Sequence, residues 1–316
     1  MRNAFAEEIT NLAANDPRIV LLSGDIGNKL FDNFKKFYPD RFYNCGVAEA
    51  NMTGIAAGLA MNNFRPITYT IASFNTIRCL EQIKLDVCYH NVPVIIVGVG
   101  AGLSYSSLGG SHHACDDLAF LRTIPNMIVT CPADSFEVKK ILREGIKLNR
   151  PMYLRIGKKG EPLVHAREPD LSIGKGLIVK DGEDVCLFAT GNLVYLALKI
   201  AENLKESCIS IQVVSMHTIK PLDTEMLINS SKKFPLIVSL EEHYLNGGLG
   251  SSIAECFVDH QINCSMLRFG ISDVFPSKLG SQEYLRDCYK LNLENITTKI
   301  KQHLKKEVLC EQKLPY

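Results

Sequence analysis

Val92-Pro-Val-Ile-Ile-Val-Gly98 is an unbroken apolar run, and the glycine-rich Gly98-Val-Gly-Ala-Gly102 follows it directly. A short run dominated by β-branched residues suits a strand buried on both faces, and clustered glycines mark the loop that leaves it. Similar runs lie on either side at Ile19-Val-Leu-Leu22, Ile67-Thr-Tyr-Thr70, Met127-Ile-Val-Thr130 and Met152-Tyr-Leu-Arg155. Helix-like stretches separate them at about Asn51–Met61, Thr76–Tyr89 and Ser135–Lys147, the last behind an Ala133-Asp134 cap. Buried strands alternating with helices predict an α/β fold, a mostly parallel sheet with helices on both faces. The pattern lapses from about Gly157 to Gly182, where Lys, Gly, Glu, Pro and Asp show no periodicity, as in a linker. It restarts with Val185–Ala189, Ile209–Val214, Leu236–Ser239 and Ser265–Arg268, and a last helix is expected from about Asn292 to Lys306. Two consecutive α/β domains follow: residues 1–180, with the linker from about 157, and residues 181–316.

The 316 residues carry 35 basic and 34 acidic side chains, with no block of either sign. That balance argues against nucleic acid or an anionic membrane surface as partner. The longest apolar run falls far short of a bilayer span. From Phe5 onward the chain reads as amphipathic helix, so no targeting leader is expected. The 11 cysteines are scattered singly without a Cys-x-x-Cys pair, which suits reduced thiols in a cytoplasmic protein. Several, such as Cys186 in an apolar run, read as small core residues.

Three segments offer chemistry. Glu49 opens a helix of small residues, Gly54, Ala56, Ala57, Gly58 and Ala60, that would let a backbone or a flat ligand come close. By spacing alone it could equally be a helix-start carboxylate in a tight interface, where the macrodipole favours it. The loop Gly98–His113 follows a buried strand, but its Gly-x-Gly-x-Gly leads into no helix, unlike a dinucleotide fingerprint. Its His112 and His113 stand at the carboxyl end of a strand, where ligands bind in such sheets. With Cys115 they could suggest zinc, but no second ligand cluster appears, and no metal is assigned to this chain. Finally, Phe74 lies where strand gives way to helix; an aromatic there can be core or a stacking platform.

In order along the chain, these segments resemble the C-terminal half of transketolase and of deoxyxylulose-phosphate synthase, above all the C-terminal subunits of split transketolases. The matching pieces are Leu22-Ser-Gly-Asp25, Gly46-Val-Ala-Glu-Ala-Asn-Met-Thr-Gly-Ile-Ala-Ala-Gly-Leu59, Leu80-Glu-Gln-Ile-Lys-Leu-Asp-Val87, Gly109-Gly-Ser-His-His113, Leu121–Met127, Cys131-Pro-Ala-Asp134 and Arg150-Pro-Met-Tyr-Leu-Arg155. Ile219-Lys-Pro-Leu-Asp223 and Glu241–Gly250 continue the match in the second half. The resemblance implies a pyrimidine-binding domain followed by a transketolase C-terminal domain. It implies thiamine diphosphate as cofactor, with Glu49 hydrogen-bonding N1′ of the aminopyrimidine as the proton switch. It further implies that Phe74, with Tyr69 as the fallback, stacks on that ring, and that Arg78 lies beside it. His112 and His113 would face the reacting hydroxyls, Asp25 would line the substrate channel, and Arg155 would grip a sugar phosphate. Leu108 departs from the pattern: transketolases carry there an aspartate that reads donor hydroxyls, so an unusual donor or acceptor is expected. Glu241–Gly250, His217 and His243 read as structural.

The family anchors the diphosphate through a divalent cation held by a Gly-Asp-Gly run, and neither Ser23-Gly-Asp-Ile26 nor Lys180-Asp-Gly-Glu183 supplies one. The resemblance therefore implies an N-terminal transketolase subunit that carries the diphosphate-binding domain and its Mg ion, in an α2β2 heterotetramer. The expected activity is transfer of a two-carbon ketol unit between sugars or sugar phosphates. Two alternatives stand beside it: the β subunit of a 2-oxo-acid dehydrogenase E1 component, and a non-catalytic interaction subunit with the same fold.

Overall fold

The computed structural model describes residues 1–27 and 29–311, with side chains to residue 305. Among the described residues twelve strands form two sheets. The first-half strands are β1 (Ile19–Ser23), β2 (Phe42–Asn44), β3 (Arg65–Ile71), β4 (Ile95–Val99), β5 (Ile128–Thr130) and β6 (Met152–Ile156). The others are β7 (Leu177–Lys180), β8 (Val185–Ala189), β9 (Ile211–Ser215), β10 (Thr218–Lys220), β11 (Leu236–Tyr244) and β12 (Ser265–Ile271). The larger sheet runs β10-β5-β6-β4-β3-β1-β2 and is parallel except at β10; the smaller runs β12-β11-β8-β9-β7 and is parallel except at β7.

Strand parity divides the first sheet's side chains between two cores. Ile19 and Leu21 of β1, Ile67, Tyr69 and Ile71 of β3, and Met152 and Leu154 of β6 pack with Phe5 and Ile9 of the Arg2–Asn15 helix and Val138 and Ile141 of the Ser135–Lys147 helix. On the opposite face Val20, Leu22, Ile96 and Tyr153 meet Met52 and Ala56 of the Glu49–Met61 helix, and that core continues to Val214, Ile237 and Leu249 of the second half. A third core, with Leu187, Val194, Ile200 and Ile296, lies on the other face of the small sheet.

The expected strands and the Ser135–Lys147 helix are present, and Asp134 caps that helix by accepting from the Phe136 and Glu137 amides. The expected helix at Thr76–Tyr89 is irregular: a 3₁₀ turn at Ile77–Cys79, then Leu80–Gln82, then π-helix over Ile83–Tyr89. β2 and β10 were too short for periodicity to reveal. β10 belongs by sequence to the second half, yet it pairs antiparallel with β5 and completes the first sheet. The presumed linker is partly ordered by specific bonds. Val164 and His165 donate their amides to Asp134, and Gly176 donates to Asp223. Leu177–Lys180 then forms β7, an edge strand on β9.

Candidate active site

The parallel strands of the first sheet all end on one rim, and the polar side chains gather there. Glu49 begins its helix, with its side chain only 1% exposed, and Arg78 Nη1 donates to its Oε2 at 2.9 Å. The Arg78 guanidinium is about half exposed and lies over the Phe74 ring, 4.4 Å from the centroid. Phe74 meets the His112 imidazole edge-on at 5.0 Å. His112 in turn lies 6.0 Å from the Tyr105 ring, over which Lys158 Nζ stands at 4.5 Å. The result is a continuous row, Glu49–Arg78–Phe74–His112–Tyr105–Lys158, with an acid at one end and a cation at the other. Ser111 Oγ and His112 Nδ1 are 3.0 Å apart, and Ser73 Oγ donates to the Ser111 carbonyl, tying this loop to the end of β3.

The arrangement suits the aminopyrimidine end of thiamine diphosphate. A sealed carboxylate can face a ring nitrogen, and a half-buried phenyl ring beside it offers an aromatic face. Gly54 and Gly58 of the same helix have no atom within 4 Å of where a side chain would begin, so its outer face is uncovered. Among the described residues no group of three His, Cys, Asp or Glu side chains is placed to hold a metal ion.

Other sequence-predicted residues land elsewhere. Asp25 sits exposed at the end of β1, in a left-handed backbone conformation, and accepts from Asn44 at 2.9 Å. Leu108 is 51% exposed at the tip of the His112 loop. His113 points inward: it is buried, both ring nitrogens lack a hydrogen-bond partner, and burial pulls its pKa below 6.5.

Two expectations need correction. Tyr69 cannot stack on a ligand near Glu49, because its parity on β3 sends it to the opposite face of the sheet. There it is 1% exposed, stacks on Phe5 at 5.5 Å and meets Phe31 edge-on at 4.8 Å. Arg155 has no surface to offer a sugar phosphate. It is buried inside β6, its Nε donates to Asp117 at 2.8 Å, and its Nη2 donates to the carbonyls of Ala114 and Glu242. Lys158, two residues beyond the end of β6, occupies the rim instead. Neither Lys158 nor Tyr105 was picked from the sequence; a cation just past a strand's carboxyl end was the available signal. His243 and His217, read from the sequence as structural, are both buried. His243 accepts from the Ala119 amide, and burial lowers its pKa to about 4.

The chain matches two family models: "Transketolase, pyrimidine binding domain" over residues 1–161 and "Transketolase, C-terminal domain" over residues 174–296. A Methanocaldococcus jannaschii protein described as a transketolase C-terminal section is 38% identical, with 97% of each chain covered. A subunit of an apulose-4-phosphate transketolase from Actinobacillus succinogenes is 34% identical over 83% of this chain and 85% of that one. A 6-deoxy-6-sulfo-D-fructose transketolase subunit from a Clostridium species is 32% identical over 94% and 92%. Among solved structures, a split-gene transketolase, described as an inactive β4 tetramer, superposes with a TM-score of 0.87 at 33% identity, covering 96% of this chain and 97% of that one. Among the described residues no helix is long and apolar enough to cross a membrane. With agreement in sequence and fold along nearly its whole length, the chain belongs to the transketolase family and corresponds to the C-terminal section of a split transketolase.

Proposed function

We propose that this chain is the pyrimidine-activating subunit of a thiamine-diphosphate-dependent transferase that moves a two-carbon ketol unit between sugars or sugar phosphates. The carrying observation is the row from Glu49 to Lys158, which sets a sealed acid, an aromatic face, an imidazole and a cation in line along one rim. When bound, the cofactor supplies the carbanion-stabilising heterocycle. Glu49 holds a proton at N1′ of the aminopyrimidine, in a setting from which water is excluded. Arg78 orients that carboxylate, and Phe74 gives the ring a face to lie on. His112 exchanges protons with the substrate's reacting hydroxyls, and Lys158 takes the anionic end of a phosphorylated sugar.

The diphosphate and its Mg ion are assigned to a partner subunit that carries the diphosphate-binding domain, in an α2β2 assembly. The sequence has no Gly-Asp-Gly run, and the two matched domains are the pyrimidine-binding and C-terminal ones. The similar β4 tetramer, made of one kind of subunit, is inactive by its own description, which agrees with a need for the partner. Two relatives are named for an apulose phosphate and for a sulfofructose, sugars that bear an anionic group. Leu108 in place of a hydroxyl-reading aspartate supports a substrate of similarly uncommon structure.

The test is a titration of thiamine diphosphate, with Mg present, into this chain, its partner, and the mixture. Binding and ketol transfer by the mixture alone are expected. Glu49→Gln in the mixture should lower kcat by about a hundredfold or more while leaving the melting temperature of the chain unchanged. Full turnover by the chain alone, or a Glu49→Gln mixture as fast as the parent, would sink the reading.

A further inference from the structure

Glu242 lies on β11 of the small sheet, with its side chain sealed from solvent, yet its strongest bonds leave that sheet. Its Oε1 accepts the backbone N–H of Leu103 at 2.7 Å, across 139 residues of sequence. The same oxygen accepts from Gln282 Nε2 at 2.7 Å, and the Arg286 guanidinium closes on Oε2. Gln282 also reaches Ser104 Oγ at 3.3 Å. The backbone carbonyl of Glu242 takes the Arg155 Nη2 bond that is shared with Ala114.

Leu103 and Ala114 are the two sides of a neck. Gly102 and Ala114 exchange backbone hydrogen bonds at 3.0 Å each, which gathers residues 103–113 into a closed loop. Gly102 has φ +57°, and a side chain there would begin 2.6 Å from the Cγ, Oε1 and carbonyl oxygen of Glu242. The carboxylate is thus pressed against the neck, and only glycine permits it. Leu108, His112 and His113 all ride on this loop, whereas Glu49, Arg78 and Phe74 stand on other elements.

We propose that Glu242 is a positioning residue: from the second domain it fixes the neck of the His112 loop and so sets where His112 stands against Phe74. This rests on the reading of His112 as the group facing the substrate. A charged acceptor bonded to a buried amide is short and directional. Arg286 sets a guanidinium against the other oxygen, so the buried carboxylate is paired on both sides. The C-terminal domain thereby acts on the reacting end of the site without contributing a residue to it.

Hydrogen exchange on the full-length chain tests the claim directly. In Glu242→Gln the amides of residues 101–114 should exchange about tenfold faster or more, while those of the Glu49–Met61 helix keep their protection. Arg286→Gln, which leaves the Leu103 bond intact, should loosen the same segment less. Unchanged exchange over 101–114, or equal loss across the molecule in both variants, would overturn the proposal. In the assembled enzyme, Glu242→Gln should raise the KM for sugar substrate about tenfold at unchanged thiamine diphosphate affinity. A parallel loss of cofactor affinity would overturn it too. Should wild-type mixtures fail to bind thiamine diphosphate, the functional reading falls, and the exchange experiment still decides the positioning role.

Discussion

The Arg155 guanidinium and the Asp117 carboxylate face each other at 2.8 Å, and both side chains are sealed from solvent. Tyr153 donates its hydroxyl to the same Asp117 oxygen at 2.6 Å, and Arg155 also braces the Ala114 and Glu242 carbonyls where the two domains meet. Burial is the strongest single influence and opposes the charge, but attraction to Asp117, the hydrogen bond to it and the neighbouring Cys131 and Tyr153 together outweigh burial and hold the guanidinium pKa above its ordinary value.

Removing one member of such a pair strands the other charge. Arg155→Met should destabilise the chain by about 3–5 kcal/mol, read by chemical denaturation. The double variant Arg155→Met with Asp117→Leu should recover part of that loss. A stable Arg155→Met protein with weakened sugar-phosphate binding would restore the role that the sequence suggested.

Phe74 is half-buried at the edge of the core in which Tyr69 is sealed, so only the Phe74 ring is within reach of a ligand on the rim. Phe74→Ala should weaken thiamine diphosphate binding by the assembled enzyme roughly tenfold to a hundredfold, matching the roughly 1–3 kcal/mol of an aromatic stack. Tyr69→Phe should leave that affinity unchanged. Calorimetric titration of the two variants distinguishes the rings.

Lys158 stands at the far end of the row from Glu49. A hydrogen bond to a charged group contributes roughly 1.5–3 kcal/mol. Lys158→Ala should therefore raise the KM for a phosphorylated substrate on the order of ten- to a hundredfold. The KM for the same sugar without phosphate should hardly move; equal changes for both would remove the anion-binding role.

His165 ties the linker to the first domain through Glu137, 2.9 Å away. Burial alone would lower its pKa, but the hydrogen bond to Glu137, with the charges of Glu137 and Asp134, outweighs it and holds the value above 6.5. A raised folded-state value means that the protonated form is preferred by the fold. The stabilisation is complete below pH 6.5, the ordinary value, and is lost as the pH rises through the folded value. Melting temperatures should fall over that range in the wild type, and the fall attributable to this group should vanish in His165→Asn.

Much of the fold was written locally. β1, β4 and β8 were legible because a strand covered on both faces must be apolar throughout, and such a run needs no partner to be seen. The Asp134 cap was legible because the donor amides lie two and three residues away. The Glu49 helix and the His112 loop were found through the order of their motifs. Missed were β2 and β10, three residues each, β7 within the stretch read as linker, and the pairing of β10 with a sheet from the other half of the chain.

By itself the sequence determined the two α/β layers, the residues at their strand ends and the family to which they belong, since burial patterns and motif order are properties of neighbouring residues. Only the tertiary structure decided that Tyr69 turns into the core, that Arg155 is consumed by Asp117 while Lys158 takes the rim, and that Glu242 reaches Leu103. Those outcomes depend on which face of a strand meets which helix and on charges brought together from distant positions, and a linear pattern carries neither.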